Sequence, residues 1–269
     1  MISKQQIAQG YDKIAEKIYV SDEFYNEVIA IEKNWHGDVL DAGCGQGPVL
    51  FALAKRNFQF PISNFQKRKI TRLVGIDISD KLLEMARKKV PEAEIIKADI
   101  DNMPFADNSF DFAVMVDVFQ YLDNDSSCHS ERSRGEAKNL KDSSPCTDRA
   151  QDDERHTMAC GFARALNEIY RVLKPGGKFI VTVPNKNWLL FESYIKRRKN
   201  IQPVEDHFFT FEEMAGLLKK HGFHVADYRG ADCFRYYAPY HKYEMWLARL
   251  FPSIHKKMKK IIFKAIKRL

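Results

Sequence analysis

The 269-residue sequence predicts an α/β fold, a mostly parallel sheet with helices on both faces, and three observations carry that prediction. Short apolar runs of strand length alternate with helical patterns through most of the chain. A turn with three alternate glycines, Gly43, Gly45 and Gly47, follows the first of those runs. Three successive strand-like runs each end close to an aspartate, which sets Asp41, Asp77 and Asp99 along one edge of the sheet, where open α/β sheets bind ligands.

The elements follow in order. Two helical patterns, roughly Ser3 to Ile18 and Asp22 to Lys33, place apolar residues at three and four spacing and read as a lid ahead of the core, residues 1–36. Strand and helix then alternate: "DVLDAGC" and "VLFALAKR", "RLVGIDI" and "DKLLEMARKKV", "AEIIKADI", "FDFAVMVDV", and "ALNEIYRVLK" before "GKFIVTVPN". These make a core over 37–185. Further on, "TFEEMAGLLKKHG" is a helix with Thr210 as N-cap, Glu213 three residues later and Gly222 at its end. The strand "FHVADYRG" follows, within an acceptor-side cap and last strands over 186–254.

Two stretches break the alternation. Asp123 to His156 is charged, rich in serine and nearly empty of large apolar side chains, so it cannot offset its own ordering entropy and is expected to be a disordered surface insertion. A substrate-recognition lid is the alternative reading. The shorter "NFQFPISNFQKRKIT" is expected to be a solvated insertion between the first core helix and the second strand.

Composition narrows the class. A 45% hydrophobic, 12% aromatic chain is globular rather than disordered. The opening "MISKQQIAQGYDKIAEK" has no apolar core of a secretory signal, and no run approaches the ~18 apolar residues of a membrane span, so the cytoplasm is the expected location. Cys44, Cys128, Cys146, Cys160 and Cys233 are scattered without a CxxC pair, which predicts free thiols and no metal site. Of the net charge of +7, all lies in the last fifteen residues; the first 254 hold 36 basic and 36 acidic residues. On a helical wheel Ile254, Met258, Ile261, Ile262, Ala265, Ile266 and Leu269 gather on one side and the seven basic residues on the other, with Phe263 misplaced. This predicts a basic amphipathic tail helix over 255–269 that docks on an anionic membrane surface, which would make the protein peripheral on the inner face of the membrane. Packing on the domain and binding of RNA by the tail stay open as alternatives.

The glycine turn points to a ligand. Glycines between strand and helix let backbone approach a guest closely and leave N–H groups aimed at it. The dinucleotide pattern G-x-G-x-x-G and the P-loop are both absent. An acid beside the turn, Asp41, repels a diphosphate and suits a cationic amino group. Asp77, at the end of the second strand, suits the two hydroxyls of a ribose.

With those residues in place, "VLDAGCGQG", "VGIDIS", "KADIDNMPFADNSFDFAVMVDVFQYL" and "EIYRVLKPGGKFIVTVPN" together resemble, in order, the class I S-adenosylmethionine-dependent methyltransferases, in particular small-molecule enzymes related to the quinone-biosynthesis methyltransferases. The resemblance runs from about Tyr11 to Gly230. It implies a doubly wound, seven-stranded Rossmann-like sheet and S-adenosyl-L-methionine as cofactor. It also implies that Asp41 and the turn of Gly43, Cys44, Gly45 and Gly47 hold the methionine part, Asp77 with Ile78 the ribose, and Asp99 with the Ile100 amide the adenine edge. Asp117 and Val118 would flank the methionine carboxylate and sulfonium, and Tyr11 would close over the cofactor. Tyr121 stands where many relatives have histidine. No N-P-P-Y or D-P-P-Y motif follows the fourth strand, which disfavours DNA as a substrate. The expected acceptor is a small or lipid-linked molecule methylated at oxygen or carbon. His207, in "PVEDHFFTFEEM", is the candidate general base, and His241 a weaker one. An aminopropyltransferase or a non-catalytic cofactor-binding subunit on the same fold are the alternatives, because fold does not settle chemistry.

Overall fold

The computed structural model describes residues 4–18, 22–58, 69–124, 161–188, 191–192, 206–231 and 252–268. The insertion expected at Asp123 to His156 lies outside these residues but for its first two, as do residues 59–68 of the shorter insertion and His241. Two helices, α1 (Lys4–Ile14) and α2 (Asp22–Ala30), precede β1 (Gly37–Ala42). Then come α3 (Pro48–Phe58), β2 (Ile70–Asp77), α4 (Asp80–Lys89), β3 (Glu94–Lys97), β4 (Phe110–Met115), α5 (Gly161–Val172) and β5 (Leu173–Pro184). The last elements are α6 (Phe211–Lys220), β6 (Phe223–Ala231) and β7 (Lys260–Lys267).

The seven strands form one sheet in the order β3-β2-β1-β4-β5-β7-β6. Strands β1 to β5 are parallel, and β7 runs antiparallel to both of its neighbours. Strand order reverses beside β1, which has β2 on one side and β4 on the other. Such a switch point opens a crevice beyond the strand ends.

Pleat alternation divides the apolar residues between two layers. Leu40, Ala42, Ala113, Met115, Phe179, Val181, Phe263 and Ala265 join Phe162, Leu166 and Ile169 of α5 and Met214 and Leu218 of α6. Val39, Phe112, Val114, Ile180 and Ile262 join Phe24, Val28 and Ile29 of α2 and Leu50 and Leu53 of α3 on the other face. Local signals fix the helix ends. Ser79 Oγ accepts from the Leu82 amide at the start of α4, and Thr210 with Glu213 closes a capping box on α6. Gly222 ends α6 at φ +85°, where a Cβ would lie 2.7 Å from the Tyr170 ring.

The tail corrects the sequence reading. Among the described residues no amphipathic helix forms over 255–268, where a helix over 255–269 was expected: after a 3-10 turn at Pro252–Lys257 the chain enters the sheet as β7, between β5 and β6. Ile261, Ile262 and Phe263 are consecutive and all buried, a run that a sheet covered on both faces accepts and a one-sided helix does not. Several of the lysines that formed the polar side of the wheel have partners within the fold. Lys264 Nζ lies 3.3 Å from the Ile31 carbonyl, and the buried Lys267 ammonium donates to the Tyr170 and Leu173 carbonyls and Asn108 Oδ1 at 2.7–2.9 Å. Three donors meeting three acceptors is what makes a buried ammonium tolerable.

Candidate active site

The crevice at the switch point is a cavity of about 790 Å³. Strand ends supply its floor. Gly43 and Cys44 both donate their amides to the Ile76 carbonyl at 2.8 Å, tying the turn after β1 to β2. At Gly43 φ is +80°, and a Cβ would come within 2.4 Å of Val118 Cγ2, so only glycine lets the turn pass this close to the end of β4. The Gly45 amide donates to Asp77 Oδ2 at 2.9 Å, while Asp77 Oδ1 accepts from the Ser79 amide at 3.0 Å. One carboxylate thus braces the turn and the start of α4.

Asp41 differs from Asp77. It is 1% exposed, and its Oδ2 has no hydrogen-bond partner. Burial, with the nearby Asp77 charge adding to it, pushes its pKa up to about 8. An orphaned carboxylate of this kind fits a cationic guest, which would return the solvation the site has removed. Asp77 is shifted upward too, by burial first and against the pull of its backbone hydrogen bonds. Cys44 is buried in the turn and its thiol pushed far up by burial, so it stays protonated and serves as packing.

The other sequence-predicted cofactor residues gather on the same cavity. Tyr11, Ile78, Asp99, Ile100, Asp117 and Val118 all line it. Gly47 does not; it donates its amide to the Cys44 carbonyl and packs against Ala86, holding α3 close to α4. Asp117 has φ +57°, donates its amide to Thr182 Oγ1 and receives the Lys260 ammonium on Oδ2. Lys4, Ile7, Tyr11 and Ile14 present one face of α1 to the cavity, spaced three, four and three residues apart. Lys4 bridges Asp99 and Asp101 at 2.6 and 2.7 Å.

His207 is placed elsewhere. Its ring packs against Phe209 at 4.5 Å and Phe162 at 5.1 Å between centroids, and it does not line the cavity. Its neighbours Asp206 and Phe208 do. Residues that sequence reasoning missed add a further wall to the cavity: Phe24 and Tyr25 of α2, Trp188, Lys259 and Lys260. Asn185, buried at 1%, fastens that wall by donating Nδ2 to the Lys256 and Met258 carbonyls, so the end of β5 is joined to the chain entering β7.

Residues 33–222 match a family described as a methyltransferase domain. The chain belongs to that family. It is a class I S-adenosylmethionine-dependent methyltransferase, and its seven-stranded sheet is the Rossmann-like sheet expected. It is similar to an uncharacterized protein of Methanocaldococcus jannaschii, 25% identical over 242 residues, which are 82% of this chain and 74% of that protein. It is also similar to a demethylmenaquinone methyltransferase of Symbiobacterium thermophilum, 27% identical over 69% of this chain and 59% of that enzyme. Among solved structures, a Thermotoga maritima S-adenosylmethionine-dependent methyltransferase, described as a possible histamine N-methyltransferase, superposes with a TM-score of 0.60 at 19% identity. That superposition covers 97% of this chain and all of the other, and at this identity it speaks for the fold alone.

Proposed function

We propose that this methyltransferase transfers the methyl group to an oxygen or carbon of a small-molecule or lipid-linked acceptor with an aromatic or apolar body. The observation that carries the reading is the continuity of the cavity from the glycine turn and strand-end acids to the wall of Phe24, Tyr25, Trp188 and Phe208. At about 790 Å³ it lies within the range of pockets that enclose small molecules. The similarity to demethylmenaquinone methyltransferases supports an acceptor of this class.

Asp41 and the turn at Gly43 to Gly45 would hold the methionine part, Asp77 the ribose, and Asp99 with the Ile100 amide the adenine. Bound there, S-adenosylmethionine supplies an electrophilic methyl on a sulfonium. The chain contributes position and exclusion of water. Tyr11 closes the cavity from α1, and the aromatic wall orients the acceptor. A proton leaving an acceptor hydroxyl needs a nearby base. Asp206, from the loop that carries His207, lines the cavity and hydrogen-bonds Tyr121, so its carboxylate takes the role in preference to His207.

Calorimetry with S-adenosylhomocysteine tests the cofactor half: Asp77→Ala should weaken binding at least tenfold, about 1.4 kcal/mol. No binding by the intact protein would end the reading. Incubation with labelled S-adenosylmethionine and whole-cell extract tests the acceptor half. Label is expected in the small-molecule or lipid fraction, and label in RNA would overturn the acceptor class.

A further inference from the structure

The methionine end of the cofactor is a zwitterion, with an ammonium and a carboxylate on one carbon. Asp41 suits the ammonium, whereas the family resemblance would set the carboxylate beside Asp117, a like charge that lines the same cavity. A cation is needed there, and the fold brings one from an unexpected place.

Because β7 is antiparallel, its first residue lies at the edge where the parallel strands end: Lys260 pairs with Pro184, the last residue of β5. The pleat gives its face. Val39 of β1 and Ile262 of β7 belong to the same apolar layer, so their strand neighbours two residues away, Asp41 and Lys260, point to that same side of the sheet. Strand β5 separates β7 from β4, and strands stand about 4.8 Å apart. The lysine stem crosses that interval: Nζ reaches Asp117 Oδ2 at 2.5 Å and lies 4.1 Å from the centroid of the Phe24 ring. The side chain is 13% exposed and lines the cavity.

The other lysines on the cavity are placed for other tasks. Lys4 sits on Asp99 and Asp101, toward the adenine side; Lys17 is exposed; Lys259 Nζ lies 5.6 Å from the Trp188 ring, on the acceptor wall. Lys260 is the one that shares a face with Asp41 and reaches the end of β4.

We propose that Lys260 binds the α-carboxylate of the cofactor, so that Asp41 and Lys260 hold the two charges of one zwitterion from the same face of the sheet. This deepens the cofactor reading above and rests on it. An ammonium has three N–H donors, and Asp117 engages one of them, so Lys260 can donate to a second carboxylate without releasing the first. Asp117 aims the ammonium and Phe24 shields it from water, which strengthens its bond to a bound anion. The lysine also removes the repulsion that Asp117 would otherwise exert on the carboxylate.

The test compares S-adenosylhomocysteine with its decarboxylated analogue, which keeps the adenosine, the thioether and the amine. Calorimetry on the full chain should show Lys260→Met weakening S-adenosylhomocysteine at least tenfold while changing the decarboxylated ligand less than twofold. Lys260→Arg, which keeps the charge, should recover most of the lost affinity. Equal weakening of both ligands would reduce Lys260 to a structural role and overturn the proposal, and so would loss of neither. Failure of the unsubstituted chain to bind S-adenosylhomocysteine at all would instead defeat the cofactor reading on which the proposal stands.

Discussion

Helix α1 and strand β7 both border the cavity, and both carry apolar residues at helical spacing with charged residues elsewhere, yet they belong to the fold in opposite ways. No residue of α1 is buried. Polar contacts hold it: Lys4 on Asp99 and Asp101, and Asp12, which accepts from Ser79 Oγ at 2.5 Å and the Lys81 amide at 3.1 Å. Strand β7 pairs along its length with β5 and β6 and buries Ile261, Ile262, Phe263 and Ala265. One segment is laid over the site and the other is built into it. A helical wheel cannot tell them apart, because it records spacing and not whether one face or two must be covered.

The contrast predicts unequal damage. Ending the chain at Ser253 should abolish cooperative thermal unfolding, since β6 would lose its neighbour; removal of residues 1–17 should leave a cooperative melt and weaken S-adenosylhomocysteine instead. A truncated chain that still melts cooperatively would break the comparison. Single substitutions should repeat the pattern. Phe263→Ala should cost about 3–5 kcal/mol by denaturant titration, whereas Ile7→Ala, on the face of α1 that borders the cavity, should change stability by less than about 0.5 kcal/mol.

The buried floor adds a dependence on pH. The folded pKa of Asp41, about 8, lies above that of an unfolded aspartate. The stability this gives the ligand-free protein is therefore fully present at pH below about 4 and lost as pH rises through 8. Binding of the cationic amino group favours the ionised carboxylate, so the affinity for S-adenosylhomocysteine should fall by up to about tenfold per unit as pH drops below 8. Asp41→Asn should flatten that dependence in calorimetry between pH 6 and 8.5. A modest effect concerns α6, where Thr210→Ala removes the capping box and should cost about 1 kcal/mol, a melting shift of about 2–4 °C, with ligand affinity unchanged.

The parts legible in the sequence are those whose chemistry is local. Asp41, Asp77 and Asp99 could be placed because each stands at or beside the end of a strand, and strand ends of a parallel sheet share one edge. Gly43 could be placed because alternate glycines between a strand and a helix mark a turn that lets backbone approach a ligand, and there a Cβ would strike Val118. Thr210 and Glu213 form a motif four residues long. Lys260 was illegible for the opposite reason. Its role depends on the register of β7 against β5, more than seventy residues away, and on antiparallel direction, neither of which appears in "KKMKKIIFKAIK". The consecutive Ile261, Ile262 and Phe263 were the available sign of a strand, and Phe263 was the residue that spoiled the wheel. His207 failed on a smaller scale. In "EDHFFT" alternate residues face opposite ways, Asp206 and Phe208 toward the cavity and His207 and Phe209 toward Phe162. Sequence alone does not give that parity.

The position of β7 has a consequence for biosynthesis. The ribosome makes β5 and β6 well before β7, although β7 lies between them in the sheet. Until Lys260 to Lys267 leave the ribosome, β5 offers an open edge and β6 has no strand to join, and such edges invite pairing with other chains. Enzyme capacity and a closed sheet therefore arrive with the same eight residues. A prematurely terminated product is not a weaker enzyme but a chain with two unsatisfied strand edges, the kind that chaperones hold and proteases clear.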